Sequence, residues 1–212
     1  MNIKNNETCL LIIDMQNDFL SEEGYFAQKK NWPVSQFKDL IGRIAKLKEA
    51  ADQKGWRTIY TQTGYAPDGC DSYTRVHNLI PDIFMEGQTP EEEQKRDHHS
   101  VLIKGTWGAD IIDELKPGEK DYVISKRRFS AFYQTDLEHM LRSWGIKNVV
   151  VTGIVTEVCV ESTVREAFIR DFDVIVVEDG VSSWNKKRHD ASIENMKFAY
   201  AKISDTKKMM DV

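Results

Sequence analysis

The stretch Cys9-Leu10-Leu11-Ile12-Ile13-Asp14 sets the fold: five apolar residues without alternation, closed by a carboxylate. A strand with one wet face alternates apolar and polar residues. An unbroken run of this length instead suits a strand buried on both faces, as in a parallel sheet covered by helices. Short runs of the same kind recur at residues 58–60, 122–124, 149–151 and 174–177. Helical spacing lies between them. Phe37, Leu40, Ile41, Ile44, Leu47 and Ala51 recur at three- and four-residue steps, as do Leu137, Met140 and Leu141, and then Val160, Val164, Ala167 and Phe168. This β/α alternation predicts an α/β fold: a single-domain, Rossmann-like three-layer sandwich with a mostly parallel, doubly wound sheet flanked by helices. Pro33 and Gly55 read as the start and stop of the first long helix, and Gly145 and Gly180 as a helix end and a strand end.

The 212 residues fit one compact domain, 1–212, and the 41% hydrophobic content with charges of both signs is that of an ordinary globular protein. A formal charge of −5, from 34 acidic against 29 basic residues, leaves no footprint for a polyanion, so no nucleic-acid partner is expected. The start of the chain is polar and the first apolar run is interrupted by Asp14, a pattern of neither a secretory leader nor a membrane span. The expected compartment is the cytoplasm, with no membrane partner. Cys9, Cys70 and Cys159 are odd in number and widely spaced, which argues against a disulfide framework and a Cys-x-x-Cys zinc site. Residues 63–100 are rich in Gly, Pro, Asp and charge, and so long an irregular segment reads as a lid or binding loop.

Ligands of open α/β sheets bind beyond the carboxyl ends of the strands. Three residues fall there: Asp14 after the first strand, Lys126 after the third, and Cys159 at the start of the helix that follows the fourth. A cysteine in a first helical turn feels the positive end of the helix dipole, which favours its thiolate. A nearby lysine would add to this, and a carboxylate could take the thiol proton and pass it to a leaving amine. Each residue also has an ordinary reading: a small buried hydrophobe for the cysteine, a turn residue for the aspartate, surface charge for the lysine. Spacing alone leaves these open.

Several segments, taken in order, resemble the cysteine hydrolases of the isochorismatase-like superfamily. They are Leu11-Ile12-Ile13-Asp14-Met15-Gln16-Asn17-Asp18-Phe19, Lys126-Arg127-Arg128-Phe129-Ser130-Ala131-Phe132 with Thr135-Asp136-Leu137, and Gly153-Ile154-Val155-Thr156-Glu157-Val158-Cys159-Val160 with Thr163, Ala167, Glu178 and Asp179. The resemblance implies Asp14 as general acid/base, Lys126 as the cation that lowers the thiol pKa, and Cys159 as nucleophile. It also implies a cis peptide between Ile154 and Val155, an oxyanion hole from the amides of Val155 and Cys159, and a homo-oligomer.

Superfamily members that open isochorismate lack the cysteine, so Cys159 counts against that reaction. The nicotinamidase branch carries an Asp-x-His metal motif after the second strand. Here that stretch is Thr61-Gln62-Thr63-Gly64-Tyr65, so no metal and no cofactor are expected, and the pair His98-His99 reads as exposed loop. The Lys-x-Arg-x-Ser-Ala-Phe segment resembles that of ureidoacrylate, biuret and N-carbamoyl-amino-acid hydrolases, which implies a small ureido or carbamoyl amide as substrate. Expected pocket residues are Phe19, Gln62, Tyr65, Trp107, Phe132 and Tyr133, whose aromatic faces suit a small planar molecule or, alternatively, core packing. A maleamate- or nicotinamide-type amide hydrolase and a non-catalytic binding module on the same fold are the competing readings. A nucleotide-binding protein is disfavoured, since neither G-x-G-x-x-G nor a P-loop follows a strand.

Overall fold

The computed structural model describes residues 3–72 and 101–212. The greater part of the expected lid, residues 73–100 with His98 and His99, lies outside the described residues. The six strands are β1 (Thr8–Ile13), β2 (Arg57–Thr63), β3 (Tyr122–Lys126), β4 (Asn148–Ile154), β5 (Asp173–Ser182) and β6 (Lys202–Ser204). The helices are α1 (Asn17–Leu20), α2 (Tyr25–Lys30), α3 (Lys38–Gln53), α4 (Leu137–Ser143), α5 (Glu161–Ile169), α6 (Lys186–Ala199) and α7 (Thr206–Asp211). No helix among the described residues is long and apolar enough to cross a membrane.

All neighbouring strands run parallel, in the order β3-β2-β1-β4-β5-β6. β1 is buried at every position, as its unbroken apolar run demands. α3 turns Leu40, Ile44, Leu47 and Ala51 inward, and each of the larger side chains contributes about 1.5–3 kcal/mol by leaving water. The strand order reverses between β1 and β4, and a crevice opens at such a switch point beyond the carboxyl ends of the strands.

Three features depart from the sequence expectations. β6 has only three residues, too few for a periodic signal. Gly180 does not end a strand, because β5 continues through it to Ser182 after a shift of its register against β4 between Val151 and Gly153. The segment carrying Cys159 begins as a π-turn, Thr156–Val160, before continuing as α5. Gly153 has φ +111°, and a Cβ at this position would collide with the backbone of Ile13. Only glycine lets β4 approach β1 this closely at the carboxyl edge.

Candidate active site

Strand register brings the site together. Ile13 pairs with Thr61 and with Gly153, and Thr63 pairs with Lys126, so the ends of β1, β2, β3 and β4 lie side by side. Asp14 follows β1 in the left-handed region, φ 51°, which a short polar side chain tolerates better than most. Its amide donates to the Thr61 carbonyl at 3.2 Å, and the Thr61 hydroxyl donates to Oδ1 at 2.7 Å. Thr63 Oγ1 donates to Oδ2 at 3.1 Å. The carboxylate is thereby fixed from both oxygens while fully buried.

Lys126 is 1% exposed, and its ammonium is saturated. Nζ stands 2.6 Å from Asp14 Oδ2, 2.8 Å from Thr63 Oγ1, 3.1 Å from the Arg128 carbonyl and 3.5 Å from Cys159 Sγ. An ammonium has three hydrogens, so four acceptors share them, and the sulfur is the most distant. Burial favours the neutral amine, but Asp14 and Cys159 outweigh it and hold the lysine pKa above its ordinary value. The site therefore contains a carboxylate, an ammonium and a thiol in direct contact.

The thiol is a weaker acid than Lys126 and the helix dipole alone would make it. Burial pushes Cys159 up to about 12; Lys126 pulls it down, but the negative charge and hydrogen bonding of Asp14 add to the rise. Charge counting explains the outcome: carboxylate plus ammonium is neutral, and losing the thiol proton to bulk water would leave a buried net charge of about −1. Passing that proton to Asp14 leaves the total unchanged.

The backbone around Cys159 is held from two directions. The Thr163 hydroxyl donates to the Cys159 carbonyl at 2.7 Å and accepts from the Ala131 amide at 3.0 Å, tying the π-turn to the segment after β3. Thr156 Oγ1 lies 2.9 Å from His189 Nδ1 on α6. The Ile154–Val155 peptide bond is cis. On the opposite side, Gln16 places its amide on β2: Nε2 donates to the Thr63 carbonyl at 2.8 Å and Oε1 accepts from the Thr63 amide at 2.9 Å. Asp18 accepts from the amides of Leu102 at 2.7 Å and Tyr25 at 3.1 Å, fixing two cavity-side segments.

Cys159, with Thr63 beside it, faces a cavity of about 60 Å³. Of the expected pocket residues, Phe19 and Tyr65 line it, together with Val155. Gln62, Trp107, Phe132 and Tyr133 do not. Gln62 Nε2 is spent on the Ala109 carbonyl at 2.6 Å, and Phe132 packs against Phe172 with the Arg170 guanidinium over its face. Trp107 and Tyr133 are 50% and 49% exposed. In their place the structure brings Phe26, Trp32, Phe129, Val158 and Trp184 to the cavity. Trp32, beside Pro33, and Trp184, just beyond β5, were visible as large side chains at element boundaries, but no periodicity joins them.

A parallel α/β sheet that carries an acid, an ammonium and a thiol at its switch point defines the class: a single-domain hydrolase of the cysteine type. The chain belongs to the isochorismatase family, whose isochorismatase-domain model matches residues 8–208. It is 35% identical over 210 residues to ureidoacrylate amidohydrolase RutB of Acinetobacter baylyi, covering 97% of this chain and 83% of that one. Among solved structures, a cysteine hydrolase from Pseudomonas syringae pv. phaseolicola superposes with TM-score 0.82 at 21% identity, covering 100% of this chain and 94% of that one, a likeness of fold. An N-carbamoylsarcosine amidase from Thermoplasma acidophilum gives TM-score 0.69 at 25% identity, covering 94% and 96% of the two chains.

Proposed function

We propose that this protein is a cysteine amidohydrolase that cleaves a C–N bond of a small ureido or carbamoyl compound, with residues 1–212 as one catalytic domain. The observation that carries the reading is the single buried contact set in which Lys126 Nζ reaches both Asp14 Oδ2 at 2.6 Å and Cys159 Sγ at 3.5 Å beside the cavity. The names of the A. baylyi relative and the T. acidophilum neighbour, each a hydrolase of an N-carbamoyl group, support the substrate class.

In this reading Cys159 attacks the ureido carbon as its proton passes to Asp14. The new S–C bond forms as the carbonyl π-pair moves to oxygen, held by the amides of Val155 and Cys159. Donors of this kind are each worth on the order of 10²-fold in rate. Collapse of the adduct expels the substituted amine, which takes the proton from Asp14, and leaves a carbamoyl thioester on Cys159. Water, deprotonated by Asp14, then releases carbamate and restores the thiol; carbamate breaks down to carbon dioxide and ammonia. Lys126 stands against Asp14 Oδ2 and balances the charge of the site. Thr61 and Thr63 hold the carboxylate in place.

The same proposal takes the partner to be a small-molecule amide and the assembly to be a homo-oligomer, for which exposed Phe168, Ile169 and Phe198 supply apolar surface. The three free thiols fit a reducing cytoplasm. Ammonia release from ureidoacrylate, biuret, N-carbamoyl amino acids, maleamate and nicotinamide, with wild type beside Cys159→Ala, tests the reading. Turnover of the ureido or carbamoyl compounds that disappears in the variant is the expected result. Turnover confined to maleamate or nicotinamide overturns the substrate class, and turnover retained in Cys159→Ala overturns the mechanism.

A further inference from the structure

The cavity at Cys159 has a largely aromatic wall and few polar side chains among the described residues. Its volume is about 60 Å³. A water molecule takes about 30 Å³ in the liquid, so this space suits a planar group of two or three heavy atoms beside the nucleophile. The side chains of Arg128 and Trp184 offer only N–H donors. Thr63 Oγ1 is engaged twice, accepting from Lys126 Nζ at 2.8 Å and donating to Asp14 Oδ2 at 3.1 Å. Tyr65 differs from all of these. It lines the cavity at 7% exposure, and its hydroxyl forms no hydrogen bond to another described residue.

Backbone contacts fix where that phenol stands. The Tyr65 amide donates to the Leu102 carbonyl and the Tyr65 carbonyl accepts from the Lys104 amide, each at 2.9 Å, in a parallel bridge to Ile103. The preceding Gly64 amide donates to the Lys126 carbonyl at 3.1 Å, so the ring is mounted directly beside the end of β3. Burial pushes the phenol up to about 12; Lys126 pulls it down, and Cys159 and Asp14 add to the rise. At neutral pH it is therefore an uncharged hydroxyl, whose oxygen can accept as well as donate.

A ureido carbon attacked by Cys159 carries three groups. In the proposed reaction the oxygen goes to the Val155 and Cys159 amides, and the substituted nitrogen leaves with the proton held by Asp14. The terminal NH2 stays on the carbon and requires an acceptor. Resting on the ureido amidohydrolase reading, we infer that the Tyr65 hydroxyl accepts a hydrogen bond from this NH2 and so selects a carbamoyl over an alkanoyl group. Because the NH2 remains in the thioester after the amine departs, the same bond holds the carbamoyl group for attack by water. Tyr65 is thus a specificity-determining residue for the part of the substrate that stays on the sulfur.

Two derivatives of one amine test this: the N-carbamoyl and N-acetyl forms of whichever amine the wild-type protein releases fastest from its ureido compound. They differ only in NH2 against CH3. Release of the amine gives kcat/KM, and calorimetric binding to Cys159→Ala reads both compounds without turnover. Tyr65→Phe removes the hydroxyl and keeps the ring. It should lower kcat/KM for the carbamoyl form about 10-fold, the scale of one hydrogen bond left unmade, and weaken its binding to Cys159→Ala by a similar factor. The acetyl form should change little, so the preference for carbamoyl narrows by about 10-fold. A variant with a damaged site would weaken both forms alike. That result, or an unchanged preference, overturns this inference and leaves the amidohydrolase reading intact. No amine released from any ureido or carbamoyl compound by the wild-type protein overturns both.

Discussion

Lys126 Nζ lies 2.6 Å from Asp14 Oδ2, with both side chains essentially cut off from solvent. A buried pair of this kind is costly to break from one side, because the abandoned partner stays charged in a medium that cannot solvate it. Lys126→Met should therefore destabilise the protein by about 3–5 kcal/mol in urea denaturation. The double variant Asp14→Asn/Lys126→Met should lose clearly less than the sum of the two single variants. Additive losses would show that the two groups are not coupled.

The carboxylate's orientation depends on two hydroxyls. Thr61 Oγ1 donates to Oδ1 at 2.7 Å, and Thr63 Oγ1 bridges Lys126 and Oδ2. Removing one such bond to a buried charged acceptor costs about 1.5–3 kcal/mol, so Thr63→Val should lower kcat at least about 10-fold. Thr63→Ser should keep most of the activity. Equal losses in both variants would assign Thr63 a packing role only.

The substrate-free thiol should behave as a weak acid. An ordinary cysteine has a pKa of about 8.5, whereas burial pushes Cys159 up to about 12. Its alkylation by iodoacetamide, read by peptide mapping, should keep rising through pH 9 and above. A plateau near neutrality would mean a preformed thiolate. The linkage has a definite sign: a folded-state pKa above the unfolded one gives stability that is complete below about pH 8.5 and is lost as pH climbs toward about 12. Cys159→Ala should flatten that alkaline loss.

Gly153 has φ +111° and no room for a Cβ against the backbone of Ile13. Gly153→Ala should destabilise by at least about 2 kcal/mol, and because β4 leads directly to the π-turn of Cys159, activity should fall with it. Thermal unfolding and ammonia release measure the two effects. A neutral variant would show that β4 can retreat from β1 without consequence.

The fold was legible because β1, β2, β4 and β5 announce themselves as apolar runs and α3 as a three-four repeat. Register sets Asp14 and Lys126 at neighbouring strand ends, and Cys159 follows the end of β4 in the π-turn. The aromatic wall was legible only in part. Phe26 and Trp32 come from the connection between β1 and α3, and Trp184 from beyond β5, so they meet only through tertiary packing. Phe132 and Tyr133 do not line the cavity: Phe132 packs on Phe172, the core-packing alternative, and Tyr133 is half exposed. The sequence shows Lys126 as the cation that lowers the pKa of Cys159, but not the burial and the Asp14 carboxylate that outweigh it.

In the proposed reaction Cys159 carries the acyl group. Acid quenching of the wild-type protein during turnover of a ureido substrate, followed by mass spectrometry of its peptides, tests this directly. A carbamoyl group is expected on the peptide that contains Cys159, absent from Cys159→Ala and lost as substrate is exhausted. Steady turnover with no adduct at Cys159, or turnover that survives the Cys159→Ala substitution, would contradict it.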